Sequence, residues 1–357
     1  MAEKSVSNPK VRRAELMARI AGFETVAQAR EDVGLFITIT CPSRMHSTLA
    51  STGKKNPRYR GTRPDQAQKY LNKIWRQIRA KMHRNNIRPY GFRIAEPQHD
   101  GTPHWHLLLF VSESQHEKLE EIIKEYALRE DGSEPGADKY RFKSIRIDWN
   151  KGTAAGYIAK YISKNIDGFG LDTGLYGENP VSGAERVEAW ASIWGIRQFQ
   201  QIGGPPVTVY RELRRVSSQI DGNELMEECR SAADSADWAR YVSAQGGPIA
   251  KKSEQPISLA RNWIDRPGRY GEPLGHMAIG VTDGFLTVQT RIHTWKIEFS
   301  PLHMGEQDVL CEAGSAPSGH RPVGGATASA RLAGVPMSRG RNSILAHGNH
   351  APLEFCQ

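Results

Sequence analysis

Two alternating stretches separated by a short turn constrain the fold of this 357-residue chain more than any other feature. Tyr90–Glu96 and His104–Val111 each have the pattern of a β-strand, and the intervening segment, Pro97–Pro103, is rich in turn-forming residues. Two strands joined by so short a connection must pair antiparallel. The sequence therefore predicts an antiparallel sheet built around this hairpin.

Helical and strand-like segments surround the hairpin. Apolar residues recur at helical spacing from Pro64 to about Asn85, and a β-branched run at Leu35–Cys41 is stopped by Pro42. Similar patterns predict a strand at Tyr140–Asp148 and helices at Val11–Ala29 and Thr153–Asn165. A further helix is predicted to begin after Ser112, which would be its N-cap, with Gln115 in the capping-box position. This order predicts an α+β fold, with a central antiparallel sheet flanked by helices and a mostly helical C-terminal extension.

The positive charge of the chain is concentrated in one region. The net charge is +9, and between Arg44 and Arg93 there are 14 Lys or Arg residues but a single acidic residue, Asp65. Such a field can collect phosphate groups, while a solvated basic surface without a partner is the alternative interpretation. The residues expected to contact nucleic acid are Arg44, Lys54, Lys55, Arg58, Arg60, Arg63, Lys69, Lys73 and Arg76.

Nothing in the sequence predicts export or membrane insertion. There is no apolar run of about eighteen residues or more, and Met1–Lys10 is polar without an apolar segment behind it. The cysteines are scattered without short pairing, so neither a disulfide framework nor a structural zinc site is expected. We therefore expect a protein of a reducing cytoplasm, without a membrane partner.

Two histidines share one face of the second hairpin strand. Because side chains alternate along a strand, His104 and His106 project to the same side. If Pro97–Pro103 forms the loop, Glu96 lies opposite His104 with the two β-carbons about 5 Å apart. Two imidazoles and one carboxylate can bind Mg²⁺, Mn²⁺ or Zn²⁺ and leave positions open for a substrate oxygen. Ordinary surface hydrogen bonds of the two histidines are the alternative.

Two tyrosines lie one turn apart in the helix predicted at Thr153–Asn165. Tyr157 and Tyr161 are neighbours on one face, and Lys160 and Lys164 share that side. A phenol has a pKa of about 10, and cationic neighbours favour the phenolate. Attack by such an oxygen on a phosphodiester exchanges the bond instead of hydrolysing it. Two tyrosines at this spacing are more often core or surface residues of an amphipathic helix than catalytic residues. The two histidines elsewhere in the sequence are what favour a catalytic role for this pair.

Together these motifs resemble the HUH endonucleases, in which a His-hydrophobic-His strand holds a metal ion and a nearby helix supplies a tyrosine. The helix with two tyrosines resembles that of rolling-circle replication initiators more closely than that of plasmid relaxases, which have a single tyrosine. More narrowly, the chain resembles the bacteriophage replication gene A endonuclease family over roughly residues 12–299. The similar stretches are Leu35–His46, Tyr90–Glu96, Asp100–His106, Ala155–Gly168, Trp190–Phe199 and Gly203–Val209.

The resemblance implies roles for five residues. His104 and His106 match the metal-binding histidines, Glu96 matches a third ligand, and Tyr157 and Tyr161 match the nucleophiles. We expect Mg²⁺ or Mn²⁺ as the cofactor. The implied activity is nicking of one strand of single-stranded or supercoiled origin DNA, which leaves a 5′-phosphotyrosine link and a free 3′-hydroxyl. Later rejoining of the strand would complete rolling-circle replication in the cytoplasm of a bacterial host.

On this interpretation the chain divides into four segments. Residues 1–30 form an N-terminal helical segment, residues 31–215 the HUH endonuclease catalytic domain, and residues 216–300 a helical segment with a hairpin around Gly284. Residues 301–357 are rich in Gly, Ser, Ala, Pro and His, so we expect a disordered tail.

The functional hypothesis assigns DNA contacts to the basic region. Bases would stack on exposed Tyr59 or Trp105, and Lys160 or Lys164 would steady the charge while Tyr161 attacks first. The sequence has no Gly-x-x-x-x-Gly-Lys-Ser/Thr motif, so a host helicase would unwind the DNA. The alternatives are a metal-dependent DNA hydrolase that uses water and a non-catalytic basic nucleic-acid-binding protein.

Overall fold

The computed structural model describes residue 3 and residues 5–172, 179–268 and 271–292. The helices are α1 (Pro9–Ala29), α2 (Pro64–Arg84), α3 (His116–Leu128), α4 (Ala137–Tyr140), α5 (Ala154–Ile166), α6 (Pro180–Ile193), α7 (Val207–Leu213), α8 (Glu224–Asp234) and α9 (Trp238–Ala244). The strands are β1 (Asp32–Ile39), β2 (Tyr90–Pro97), β3 (Pro103–Ser112), β4 (Phe142–Arg146), β5 (Phe199–Ile202), β6 (Ser258–Pro267), β7 (Pro273–Thr282) and β8 (Thr287–Gln289). The predicted α+β class is confirmed.

A five-stranded antiparallel sheet forms the centre of the fold. Its strand order is β4-β1-β3-β2-β5, and each neighbouring pair is antiparallel. The predicted hairpin is β2–β3, in which Glu96 pairs opposite His104. The sequence pattern from Glu185 to Arg215 predicts helix apart from a break at Gly203–Pro206, and the edge strand β5 shows that this prediction is wrong for Phe199–Ile202. Four residues are too short for a pattern of their own, and pairing with β2 makes them a strand.

Helices cover both faces of the sheet. On one face α2 buries Leu71, Ile74 and Ile78 in a cluster that also contains Trp105. On the other face α1, α5, α8 and α9 form a second cluster around Phe23 and neighbouring aromatic rings. Each fully buried large apolar side chain contributes about 1.5–3 kcal/mol. This second face is the one toward which His104 and His106 project.

Local sequence signals fix the ends and the orientation of α5. The Thr153 hydroxyl caps the helix by accepting a hydrogen bond from a backbone N–H of the first turn, at 2.9 Å. Ile158 and Ile162 are fully buried in the core. Beyond the last turn, Gly168 has φ +69° and its N–H donates to the Ser163 carbonyl at 2.7 Å. The buried isoleucines hold the tyrosine-bearing helix on the sheet.

One predicted helix start and one predicted continuous helix are wrong. Helix α3 begins at His116, and Ser112 makes no capping hydrogen bond because it is still part of β3, paired with Asp32. The sequence pattern also predicts a helix over Glu212–Tyr241, but the structure interrupts it, because Gly222 has φ +77° and Asn223 caps a new helix, α8.

The chain after α9 forms a separate three-stranded antiparallel sheet, β6-β7-β8. Its β7–β8 hairpin turns at Gly284, as predicted, whereas strand β6 was not foreseen. The end of the predicted hairpin and the predicted tail, residues 293–357, lie outside the described residues. No helix in the described part of the chain has the length and apolar character needed to cross a bilayer.

Gly91 is required where β2 passes close to β3. It has φ +144°, and a β-carbon there would lie 2.0 Å from the Leu108 carbonyl oxygen. We expect Gly91→Ala to lower the free energy of unfolding in urea by about 2–4 kcal/mol. Gly61→Ala is the matched control, because Gly61 also has positive φ (+73°) but no atom within 4 Å of the added carbon. Equal losses in both variants would contradict the steric explanation.

Candidate metal centre and tyrosine helix

Three possible metal ligands converge beside the hairpin turn. The Oε2 atom of Glu96 lies 3.3 Å from His106 Nε2 and 3.9 Å from His104 Nε2. One ligand atom from each residue lies within 4.8 Å of the other two. The antiparallel pairing of Glu96 with His104 brings these side chains to one face of the sheet. The structure thus brings together all three residues predicted as ligands.

The donor set fits a divalent ion. In the described part of the chain, His104 Nδ1 and His106 Nε2 are buried without a hydrogen-bond partner. A buried polar atom left unsatisfied costs about 1–3 kcal/mol, which coordination of an ion would offset. Two imidazoles and a carboxylate suit Mg²⁺, Mn²⁺ or Zn²⁺.

The charge states of the cluster favour metal ligation at neutral pH. Burial, followed by the nearby His106 imidazole, lowers the pKa of His104 to about 3, so its ring is neutral and has a free lone pair at pH 7. Burial alone would raise the pKa of Glu96, but the two imidazoles and an amide from Asn165 outweigh it and lower the pKa below its usual value. The cluster therefore offers the negative charge of Glu96 and a neutral nitrogen donor from His104.

Strand β1 contributes two residues that the sequence alone did not single out. Thr38 pairs with His106 across the sheet, and its Oγ1 lies 3.1 Å from His106 Nδ1. If Nδ1 donates to Thr38, the Nε2 lone pair is directed at the cluster. Phe36 stacks on the same imidazole, with ring centroids 5.5 Å apart and planes at 13°. Side chains alternate between the two faces along β1, so Phe36 and Thr38 share a face, and the pairing of β1 with β3 brings that face to His106.

Helix α5 places one tyrosine against the cluster. The Tyr161 ring centroid lies 4.2 Å from that of His106 and 5.2 Å from that of Phe36. Tyr157 is half-buried one turn earlier, about 6 Å along the helix axis, and packs on the same core. Of the two predicted nucleophiles, Tyr161 is the one whose ring contacts a candidate metal ligand.

Glu96 acts electrostatically on two residues of α5, Tyr161 and Lys164. Burial, then the Glu96 carboxylate, raises the pKa of Tyr161 to about 12. Burial lowers the pKa of Lys164, an effect that Glu96 opposes and Lys160 reinforces. Lys164 is thus electrostatically coupled to the cluster, whereas Lys160 is exposed to solvent. With a pKa of about 12, the phenol is protonated at neutral pH.

The hairpin loop forms a second polar group that is separate from the cluster. Asp100 accepts hydrogen bonds from the Ser47 and Thr102 backbone N–H groups at 2.8 and 3.0 Å and lies 3.2 Å from His46 Nδ1. His99, also in the loop, is exposed and lies 3.3 Å from the Thr48 carbonyl oxygen. These contacts hold the start of the basic region against the hairpin loop, and neither Asp100 nor His99 joins the three candidate ligands.

The nine predicted DNA-binding residues fall into two groups. Five form ion pairs, namely Arg44 with Glu130 and Asp131, Lys73 with Glu130, Arg58 with Glu134, and Arg63 and Lys69 with Asp65. The other four are exposed and have no ion pair within the described ranges; these are Lys54, Lys55, Arg60 and Arg76. Nearby acidic residues thus neutralise part of the basic region, and the second group holds its unpaired charge.

Trp105 is not a surface for base stacking, which corrects the sequence-based expectation. Only 1% of it is exposed, because it faces α2, where its Nε1 donates to Gln68 at 3.0 Å and the Arg93 guanidinium covers its ring at 4.2 Å. Tyr59 is half-buried, and its hydroxyl donates to the Thr62 carbonyl at 2.9 Å. Strand alternation alone cannot say which face of a sheet is covered by a helix.

The fold and the cluster together define an α+β protein with a candidate divalent-metal centre on an antiparallel sheet and a tyrosine helix laid over it. The family model described as "Bacteriophage replication gene A protein (GPA)" matches residues 1–169. With this match and the curated relatives below, the chain belongs to the bacteriophage replication gene A protein family.

Curated relatives cover most of this chain. The replication gene A protein of Escherichia phage 186 is 43% identical over 88% of this chain and 46% of its own length. The replication protein of Haemophilus phage HP1 is 43% identical over 85% of this chain and 39% of its own length. A probable replication endonuclease from a prophage-like region of Salmonella typhimurium is 40% identical over 75% of this chain and 35% of its own length. The chain thus spans less than half the length of these relatives, and no solved structure matches it.

Proposed function

We propose that this chain is a replication endonuclease that nicks one strand of origin DNA by tyrosine attack and later rejoins it. The observation that carries the proposal is the 4.2 Å separation between the rings of Tyr161 and His106, beside the Glu96, His104 and His106 cluster. Relatives named as replication proteins and as probable replication endonucleases support the same activity. Single-stranded or supercoiled origin DNA is the proposed substrate, and a host helicase the proposed partner.

The proposed reaction exchanges one ester bond for another. The Tyr161 hydroxyl oxygen bonds to phosphorus, and the bond from phosphorus to the 3′ oxygen breaks. The phenol gives up its proton to solvent and the leaving 3′ oxygen gains one, so the products are a 5′-phosphotyrosine ester and a 3′-hydroxyl. No water is consumed, and attack by a 3′-hydroxyl on the ester restores the strand. Tyr157, one turn away, would carry out a second transfer while Tyr161 is occupied.

The surrounding residues prepare the phenol and the phosphate. Glu96, His104 and His106 would hold Mg²⁺ or Mn²⁺, which when bound supplies positive charge that withdraws electrons from the non-bridging phosphate oxygens. Because burial and the Glu96 carboxylate raise the pKa of Tyr161 to about 12, little phenolate exists at pH 7 unless positive charge is brought near the phenol. Lys164 is coupled electrostatically to Glu96 and follows Tyr161 by three residues on the same helix, so it would add positive charge on the side of the phenol.

A labelled-DNA experiment tests the proposal against both alternatives. The chain is incubated with a random-sequence pool of single-stranded oligonucleotides and Mg²⁺ or Mn²⁺, then resolved on a denaturing gel. We expect a 3′ label to migrate with the protein and a 5′ label to appear in fragments that a polymerase extends. The adduct should disappear with chelator and in Tyr157→Phe/Tyr161→Phe. Cleavage without adduct would instead indicate a water-using hydrolase, and binding without cleavage a binding module.

The unpaired cations should dominate DNA binding. Arg60 is exposed without an ion pair in the described residues, whereas Arg63 is held by Asp65 at 3.0 Å. We expect Arg60→Ala to reduce the slope of log affinity against log salt by about 0.7, the value for one phosphate contact on a single strand. Arg63→Ala should change it little, because Asp65 already neutralises that charge. Fluorescence anisotropy with a single-stranded oligonucleotide measures both slopes, and a larger change for Arg63→Ala would reverse the assignment.

A further inference from the structure

Asn165 occupies a buried position between the metal cluster and the tyrosine helix. It is 1% exposed and lies one turn after Tyr161 on α5. Its Nδ2 donates to Glu96 Oε1 and, at 2.5 Å, to the Tyr161 carbonyl. Its Oδ1 accepts from Gln198 Nε2 at 3.4 Å. These partners fix the orientation of the amide, because a flipped amide would set its oxygen against two acceptor oxygens.

The two oxygens of Glu96 have different surroundings. Oε1 accepts the hydrogen bond from Asn165, and Oε2 faces His106 at 3.3 Å and His104 at 3.9 Å. A carboxylate without such a bond can rotate and present either oxygen, or both, to a cation. The hydrogen bond to Oε1 holds the carboxylate plane and leaves Oε2 directed at the imidazoles.

We propose that Asn165 is a positioning residue that fixes Glu96 as a one-oxygen ligand and ties it to the helix turn that carries Tyr161. The inference deepens the function proposed above and rests on it. One amide contacts both the candidate ligand and the backbone of the candidate nucleophile, so metal affinity and tyrosine placement should depend on it together. Sequence reasoning did not single out Asn165, although its spacing of four residues from Tyr161 places it on the same helix face.

Direct Mn²⁺ binding to the full chain tests this role without requiring DNA cleavage. Asn165→Asp keeps the side-chain shape but replaces the donor with a charged acceptor, and Asn165→Ala removes the side chain. We expect both variants to bind Mn²⁺ about 10–100-fold more weakly by titration calorimetry, as is usual when a group that orients a metal ligand is lost. Ser163→Ala is the matched control, since Ser163 is also buried on α5, and its affinity should stay within about twofold of the unsubstituted chain.

A double-mutant cycle separates positioning of Glu96 from general loosening of the helix. If Asn165 acts through Glu96, Asn165→Ala should not weaken Mn²⁺ binding further in a Glu96→Ala background. A role limited to helix packing would weaken binding equally in both backgrounds and would overturn the proposal. Folded Asn165→Asp or Asn165→Ala with affinity within about twofold of the unsubstituted chain would also overturn it.

A third variant keeps the test decisive if both substitutions at Asn165 prevent folding. Gln198→Ala removes the donor that fixes the Asn165 amide, so Mn²⁺ binding should weaken about threefold or more, and unchanged binding would overturn the proposal. The test is also independent of the nicking activity. Normal Mn²⁺ affinities in the Asn165 variants with normal adduct formation would overturn this inference alone. Weakened Mn²⁺ binding in a chain that never forms an adduct would overturn the proposed nicking and leave the role of Asn165 intact.

Discussion

Tyr161→Phe should reduce the initial rate of covalent adduct formation by more than about 1000-fold, as expected when a nucleophile is removed. Its ring lies against that of His106, with the two centroids 4.2 Å apart, whereas Tyr157 lies one turn earlier on α5. Removing one oxygen preserves the packing of the ring on Phe36 and His106, so the fold should persist. Single-turnover assays with 3′-labelled single-stranded DNA measure the rate.

Tyr157→Phe is the matched control for this prediction. It removes the same oxygen one turn away on the same helix, and we expect it to retain initial adduct formation within about tenfold while losing the second transfer. The order of the tyrosines would be reversed if Tyr157→Phe abolished the initial adduct and Tyr161→Phe did not. Equal and full activity in both single variants would show that either phenol can reach the phosphate first.

His106→Ala should weaken Mn²⁺ binding by more than about 100-fold and reduce adduct formation at least as much. Loss of a ligand should exceed the effect of losing a residue that only orients a ligand, which is about 10–100-fold. The Nε2 atom of His106 is a buried nitrogen without a hydrogen-bond partner in the described residues, and it faces Glu96 at 3.3 Å. The substitution also removes the ring on which Tyr161 packs. Calorimetry with Mn²⁺ and circular dichroism distinguish loss of the site from loss of the fold.

His99→Ala provides the control for the histidine substitution. His99 is exposed in the loop of the same hairpin and lies outside the candidate ligand set. Its removal should leave Mn²⁺ affinity within about twofold of the unsubstituted chain. Retention of Mn²⁺ affinity in a folded His106→Ala variant would contradict the assignment of the metal centre.

The parts of the site that follow from local pattern were predictable from the sequence. A short turn between two alternating stretches fixes an antiparallel pair, and alternation with that register brings Glu96 opposite His104 and beside His106. Helical spacing likewise places Tyr157 and Tyr161 on one face of α5. These predictions need only the geometry of a single hairpin and a single helix.

The remaining features depend on contacts between distant elements. Thr38 meets His106 because β1 lies beside β3, and Asn165 meets Glu96 because α5 lies across the sheet. Trp105 is buried because α2 covers the opposite face, which the pattern of β3 alone does not reveal. The order of the strands and the placement of the helices arise from packing of the whole core. They cannot be derived from a single sequence when the pairing between distant strands is unknown.

Mapping the DNA-linked peptide tests the central claim most directly. After reaction with Mn²⁺ and single-stranded DNA, the adduct is digested with nuclease and trypsin and analysed by mass spectrometry. Trypsin separates the two tyrosines, because Tyr157 lies on the peptide Gly152–Lys160 and Tyr161 on the peptide Tyr161–Lys164. We predict a residual 5′-nucleotide on Tyr161, formed only when Mn²⁺ is present. Cleaved DNA without any nucleotide-linked peptide, or a nucleotide linked to a residue outside α5, would contradict the account.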